Sequence, residues 1–449
     1  MANIEVAIRK SADKKITYSL NIAYAEDPTL VSRLDELNGE VIGVTSSAKI
    51  AAAIDSKEAI ADAVNAQGGN ITSDTPLDEY ATEIQALTVS VIGKPSDGPR
   101  VRFFDYDGTL LKTQYVPKGG SATAPPIPEH DRLVFQGWNN DFDNITRNKD
   151  VGAIYTTKSG ASEFDLIFGA KDSLTLDFTC TVDSGELVID WGDGSAQETA
   201  ATVGGRTFSH TYPDCGEYTM KVWGDWTPPE EGRIAGAFSN ELCKRVFIAG
   251  FGGKPVYRTN FSPLLELLTI SEGVSAVSSH IGTATRSNLK CFIHPRSATV
   301  STGSMMGHAG VYIMSDTATE VPAYLHVTPV IYLGDNVTTV SIDNFENVLL
   351  GTLCIPPKVT NMTFNAPASV SELIILAEKL TQLNIGSANI SINVLRKITI
   401  HTKVPPSLTG SFRNLNPCYI YVPKGCAEAY KTATNWSTYA DIIKEQEND

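Results

Sequence analysis

The stretch LCIPPKVTNM, residues 353–362, carries the pattern that decides the fold. Leu353 and Ile355 flank Cys354, a double-proline turn follows, and Val359 and Met362 add two further apolar positions. The opening triplet has relatives along the whole C-terminal half. They are VFI ending at Ile248, LTI at Ile270, CFI at Ile293, YIM at Met314, IYL at Leu333, LCI at Ile355, IIL at Leu376, ITI at Ile400 and IYV at Val422. Subtracting neighbours gives spacings of 22, 23, 21, 19, 22, 21, 24 and 22 residues. A later apolar pair recurs too: Val274 with Val277, Val337 with Val340, Val359 with Met362 and Leu380 with Leu383, with Val404 expected in the same role. A period of this length predicts a solenoid in which each repeat is one supersecondary unit.

A three-residue strand points its ends to one side and its middle to the other. The expected inward column is therefore Leu268, Cys291, Tyr312, Ile331, Leu353, Ile374, Ile398 and Ile420. The expected outward column is Phe247, Thr269, Phe292, Ile313, Tyr332, Cys354, Ile375, Thr399 and Tyr421. One rung cannot bury its own face, whereas stacked rungs can. At ~4.8 Å per strand the stack would be about 38 Å long. LCIPPKVTNM and LGDNVTTVS (333–341) resemble the BspA-like leucine-rich repeat, and IYVPKGCAEAYKTATNWSTYADII (420–443) resembles that family's C-terminal cap. The resemblance implies recognition or adhesion rather than chemistry.

The outward column is unusually apolar for an exposed face. Either another domain or subunit covers it, or Phe247, Phe292, Ile313, Tyr332, Ile375 and Tyr421 form a binding surface, since exposed aromatic patches mark recognition sites.

The chain has 449 residues and a formal charge of −15, which disfavours nucleic acid and anionic membranes as partners. The opening MANIEVAIRKSADKK contains no apolar leader, and no run is long enough to span a membrane. Seven cysteines without a C-x-x-C pair read as reduced, core-filling thiols, with a Cys180–Cys215 bridge as the alternative.

Upstream of the repeats the sequence divides into modules. Residues 1–44 hold two alternating runs, Ile4–Ile8 and Ile16–Ile22, around a polar turn, then a linker. Residues 45–92 read as a helical hairpin, with Thr75 as N-cap and Pro76 at the first helical position. SKEAIADAVNAQGGNITSDTPLDEYATEI (56–84) resembles a short module of tailed-bacteriophage structural proteins. Residues 99–157, with FFDYDGTLLKTQYV (103–116) and FQGWNNDFDNIT (135–146), resemble the internalin-type B-repeat, a small β-grasp-like unit. Residues 163–226, with LTLDFTC (174–180), ELVIDWGDGSAQETA (186–200) and RTFSHTYPDCGEYTMKVWG (206–224), resemble a PKD-type immunoglobulin-like sandwich. The solenoid and its cap fill 234–449, and the junctions near 92–99, 157–162 and 227–233 read as exposed linkers.

Chemistry has few candidates. FFDYDGTLL (103–111) is how haloacid-dehalogenase phosphatases begin, and that resemblance would make Asp105 the nucleophile and Asp107 the general acid/base. No crossover helix can follow, because KTQYVPKGGSATAPP comes next. A hairpin turn at Asp107–Gly108 is the expectation. Asp190 and Asp193 of the WGDGS loop could contact calcium, but two carboxylates fall short of a hard-cation site. The seven histidines show no metal-ligand spacing, and no metal or cofactor is expected.

Adhesion-type modules beside a phage-like hairpin lead to one expectation: a multidomain, mainly β, non-enzymatic bacteriophage protein displayed on the virion. Its N-terminal region would contact other virion proteins, and its C-terminal modules a host glycan or protein. It would be present in multiple copies or as a homo-oligomer. The alternatives are a bacterial surface adhesin and, more remotely, the phosphatase.

Overall fold

The structure, a computed structural model, describes residues 4–11, 14–20, 98–170, 172–229, 234–239, 242–257, 264–278, 289–300, 305–306, 309–321, 324–325, 330–342, 350–364, 370–385, 395–412 and 418–446. The helical hairpin expected over 45–92 lies outside them. The chain divides into two compact units, residues 1–100 with 114–120, and residues 101–113 with 121–449. In the first, β1 (Ile4–Ser11) and β2 (Lys14–Leu20) pair antiparallel, Ile8 opposite Ile16.

Next along the chain is a small sheet of β3 (Arg100–Phe104), β4 (Leu110–Tyr115), β5 (Leu133–Trp138) and β6 (Lys149–Thr157), in the order β4-β3-β6-β5. β3 runs parallel to β6, and β5 antiparallel to it. Between β3 and β4 the chain turns tightly: Asp105 N–H donates to Thr109 O, and Gly108 N–H to Asp105 O. Gly108 takes φ +87°, a left-handed conformation that a side chain would disfavour. Phe103 packs edge-on against Trp138 at 5.1 Å and Phe142 at 5.3 Å.

β7 (Ser162–Phe168), β8 (Thr175–Asp190), β9 (Glu198–Ala200), β10 (Gly204–Thr211) and β11 (Gly216–Thr227) follow. The first half of β8 pairs with β10, Phe178 opposite Phe208, and its second half with β9 and β11. β7 lies between β11 and β12 (Cys243–Ile248), antiparallel to both, and β12 continues in parallel to Leu267–Ile270. One sheet thus runs from the 162–227 region into the solenoid. One hydrophobic cluster likewise extends from Phe164 to Ile443.

This overturns the exposed linker expected at 157–162. Thr157, Ala161 and Ser162 are buried, and of this segment only Lys158 and Gly160 are exposed. Ser162 Oγ donates to Ala249 O and accepts from Ala249 N–H, tying the junction to the end of the first rung.

The repeats stack through parallel strand pairing on two faces. One face carries the triplets, as a three-stranded sheet of Leu289–Ile293, Ala309–Ile313 and Val330–Tyr332 and a five-stranded sheet of Leu350–Ile355, Val370–Ile375, Lys397–Ile400, Tyr419–Val422 and Ile443–Glu445. The other face carries the later apolar pair, as in the four-stranded sheet of Thr339–Ile342, Asn361–Phe364, Gln382–Ile385 and Ser407–Gly410. Leu353, Ile355, Val359 and Met362 are all buried in the shared core, where each such side chain contributes about 1.5–3 kcal/mol.

Two triplets are shifted by one residue from the sequence expectation. Phe292 pairs with Tyr312, and Ile375 with Ile355, so Phe292 and Ile375 point into the core while Cys291 and Ile374 take the outward face. Val404 is also not a core residue: it is 75 % exposed, and Leu408 fills the space beside Leu383. The cap closes the stack with a short helix, α1 (Ala427–Thr432), and a 3-10 turn, Trp436–Ile442. Trp436 Nε1 donates to Pro406 O (2.8 Å), and the Tyr430 hydroxyl to Thr402 O (2.7 Å).

Candidate functional site

The outward face of the triplet sheet divides into a covered and an open part. Over the first rungs lies the 101–157 sheet. Phe104 and Ile154 pack on Cys291, Ile293, Val311, Ile313 and Tyr332, and Leu133, Ala153 and Tyr155 pack on Phe247 and Leu267. β6 comes so close that a Cβ on Gly152 would lie 2.5 Å from Ile293 Cγ2. Asn139 seals the contact. Its amide donates to the carbonyls of His294, Ile313 and Met314 at 3.3–3.4 Å, and its Oδ1 accepts Gly152 N–H at 2.8 Å. Asn140 bonds Met314 O (2.9 Å) and accepts Asp316 N–H (2.6 Å).

A charged cluster completes this contact. Arg147 Nε reaches Asp335 (2.6 Å), and its guanidinium lies 4.6 Å from the Tyr332 ring centre. Lys149 bridges Asp316 (2.7 Å) and Asp335 (2.9 Å). Burial opposes the Lys149 charge, yet Asp316 and Asp335 hold its pKa above the ordinary lysine value. Burial likewise works against ionising Asp335, but Arg147 and Lys149 keep its carboxyl below the usual range. Among the outward residues, Phe247, Ile313 and Tyr332 are thus interior positions. Arg132 caps Phe247 at 5.1 Å and is itself held by Glu163 (2.7 Å) and Asp165 (2.8 Å).

Beyond Tyr332 the face is open. Cys354, Ile374, Thr399, Tyr421 and Lys444 align in one column, and Thr352, Glu372, Lys397 and Tyr419 in the other. Tyr419 is 41 % exposed and lies 6.4 Å from Tyr421 between ring centres. Lys444 Nζ sits 3.5 Å from the centre of the Tyr419 ring, Lys397 Nζ 5.7 Å from that of Tyr421, and Lys397 pairs with Glu372 at 2.8 Å. Tyr421 is the one residue of the expected binding set on this open part. Tyr419, Lys397 and Lys444 join it through the register. Sequence reasoning could have found them two positions before or one rung after the column.

The other candidates are engaged structurally. Asp105 is 3 % exposed, with its carboxylate on His130 Nε2 (2.9 Å) and Tyr106 N–H (2.8 Å). β3 is followed by the turn and β4 rather than by a helix, so the strand-loop-helix frame that the phosphatase reading of Asp105 and Asp107 requires is not formed. Burial, followed by the Asp105 carboxylate, raises the pKa of Tyr155.

In the WGDGS loop, Asp193 bonds His210 (2.8 Å), whose ring stacks on Trp191 at 4.8 Å. Burial opposes ionisation of Asp193, but the bonds from Ser195 and His210 bring its pKa down to about 2. Asp190 accepts Gly192 N–H. Among the described residues no group of three or more His, Cys, Asp or Glu is placed to hold a metal ion. Cys180 and Cys215 are both free thiols, so the alternative disulfide is not formed. No described helix is long and apolar enough to cross a membrane. No protein-family model matches the chain, and no curated protein matches it significantly.

Proposed function

We propose that the chain is a non-enzymatic structural protein displayed on a bacteriophage particle, with its C-terminal solenoid serving host attachment. In this reading residues 99–157 are a B-repeat-like unit, 163–226 a PKD-like sandwich, and the repeats BspA-like. The observation that carries it is the open end of the triplet sheet. Tyr419, Tyr421, Ile374, Lys397 and Lys444 present aromatic, aliphatic and cationic groups side by side on a rigid stack, the composition of recognition surfaces. The covered end supports the same reading. The 101–157 sheet occupies the first rungs, which leaves the later rungs as the part of this face available to a partner.

The test has two parts. Antibody labelling of purified particles in electron micrographs should place the chain on the virion, and its absence there refutes the assignment. The double variant Tyr419→Ser/Tyr421→Ser should fold yet lose host adsorption by tenfold or more, since truncated aromatic anchors cost about 2 kcal/mol.

A further inference from the structure

The solenoid's second parallel sheet carries a different surface. Thr339–Ile342, Asn361–Phe364, Gln382–Ile385 and Ser407–Gly410 stack in register. Val340, Met362, Leu383 and Leu408 point into the core. On either side of them stand two outward columns, Thr339, Asn361, Gln382 and Ser407 in one, Ser341, Thr363, Asn384 and Thr409 in the other. These eight positions are exposed or half-buried, and all are uncharged and polar. A protein surface ordinarily carries about 25–35% charged residues, and this chain holds 87 of them, 36 basic and 51 acidic. A depression of about 200 Å3 lies among Asn361, Thr363, Gln382, Asn384, Ser407 and Thr409.

The array is partly fixed from its flank. Thr381 Oγ1 donates to Thr360 O at 3.0 Å, and Thr360 Oγ1 to Thr338 O at 3.4 Å. Asn361 is oriented between them, its Nδ2 donating to Thr360 Oγ1 (3.2 Å) and its Oδ1 accepting from Thr381 Oγ1 (3.3 Å). Among the described residues, the side chains of Thr363, Asn384, Ser407 and Thr409 are left without a hydrogen-bond partner.

We propose that this face binds an uncharged polysaccharide laid along the stacking axis. Hydroxyl and amide side chains each offer a donor and an acceptor, as the hydroxyls of a sugar do. A polyanion or polycation finds no countercharge in the two columns. A folded protein partner finds none of the apolar centre on which stable interfaces are built. The two-column pattern repeats over these four rungs at ~4.8 Å intervals, which suits a polymer with a repeating unit. The site is separate from the open triplet face, so either assignment can fail alone.

The full chain is run in native gels containing a neutral β-glucan, galactomannan or dextran, with dextran sulfate as the charged comparison. Retardation is expected in at least one neutral gel and should persist at about 0.5 M salt, where ionic attraction is screened. Asn384→Ala/Thr409→Ala removes two hydrogen-bonding groups and should weaken it about tenfold. Both positions are exposed, so the unfolding midpoint should not move, and Tyr421→Ser should leave retardation unchanged. Three results would overturn the proposal: no retardation in any neutral gel, retardation indifferent to the double variant, or retardation by dextran sulfate alone that salt abolishes. Self-association that the double variant removes would assign the face to a second copy instead.

Discussion

Tyr332 separates a recognition face from an interior one. Its position in the triplet IYL marks it as an outward aromatic, and an exposed Tyr332→Ser would cost little stability. In the structure it is 3 % exposed, lies 4.6 Å from the Arg147 guanidinium and donates its hydroxyl to Asp316 at 2.8 Å. Removing a buried aromatic ring costs about 3–5 kcal/mol. The lost ring–guanidinium contact adds about 0.5–2 kcal/mol, and part of this overlaps with the first term. The loss expected for Tyr332→Ser is therefore about 4 kcal/mol. Tyr421→Ser, on the open half-buried position, is expected to cost below about 1 kcal/mol. Denaturant unfolding followed by tryptophan fluorescence measures both, and hydrogen exchange locates the damage. In Tyr332→Ser, amides of 149–157 and 309–313 should exchange faster, because the 101–157 sheet rests on that ring. If the two variants unfold within about 0.5 kcal/mol of each other, the packing of the 101–157 sheet on the solenoid is wrong.

Two further perturbations probe the same construction. Gly152→Val places methyl groups where Ile293 already sits, an overpacking worth about 1–3 kcal/mol, and a wild-type unfolding midpoint would refute the close approach of β6. His294 is 1 % exposed, with Nδ1 near Pro295 O and no partner for Nε2 among the described residues, and burial lowers its pKa to about 4. The unfolded chain takes up this proton near pH 6.5 and the folded one only near pH 4, so stability falls as pH drops through that window. The difference amounts to about 3 kcal/mol below pH 4. His294→Met, which matches Met314 of the next rung, should remove that slope and raise stability most at pH 4–5; an unchanged slope would place its origin elsewhere.

The period of the apolar triplets determined the solenoid, because a stack repeats its burial requirement at every rung and so writes it into the sequence. The hairpin at Asp107–Gly108 was legible for a similarly local reason: a left-handed turn residue favours glycine. Register was less secure. Around Cys291–His294 and Leu373–Leu376 both faces of the strand carry apolar residues, so alternation no longer tells inside from outside. Alternation alone therefore assigns Phe292 and Ile375 to the outward face, whereas both point into the core. Only the tertiary structure decided that Phe247, Ile313 and Tyr332 are covered, since the cover comes from residues more than a hundred positions upstream in most pairs, such as Ile154 on Ile313. It also merged the 162–227 strands with the first rung, through β7 pairing to β12, where the sequence suggested separate modules. The sequence records which side chains need burial. Which surface buries them is settled by long-range packing, and that choice leaves Tyr419 and Tyr421 open while closing over Tyr332.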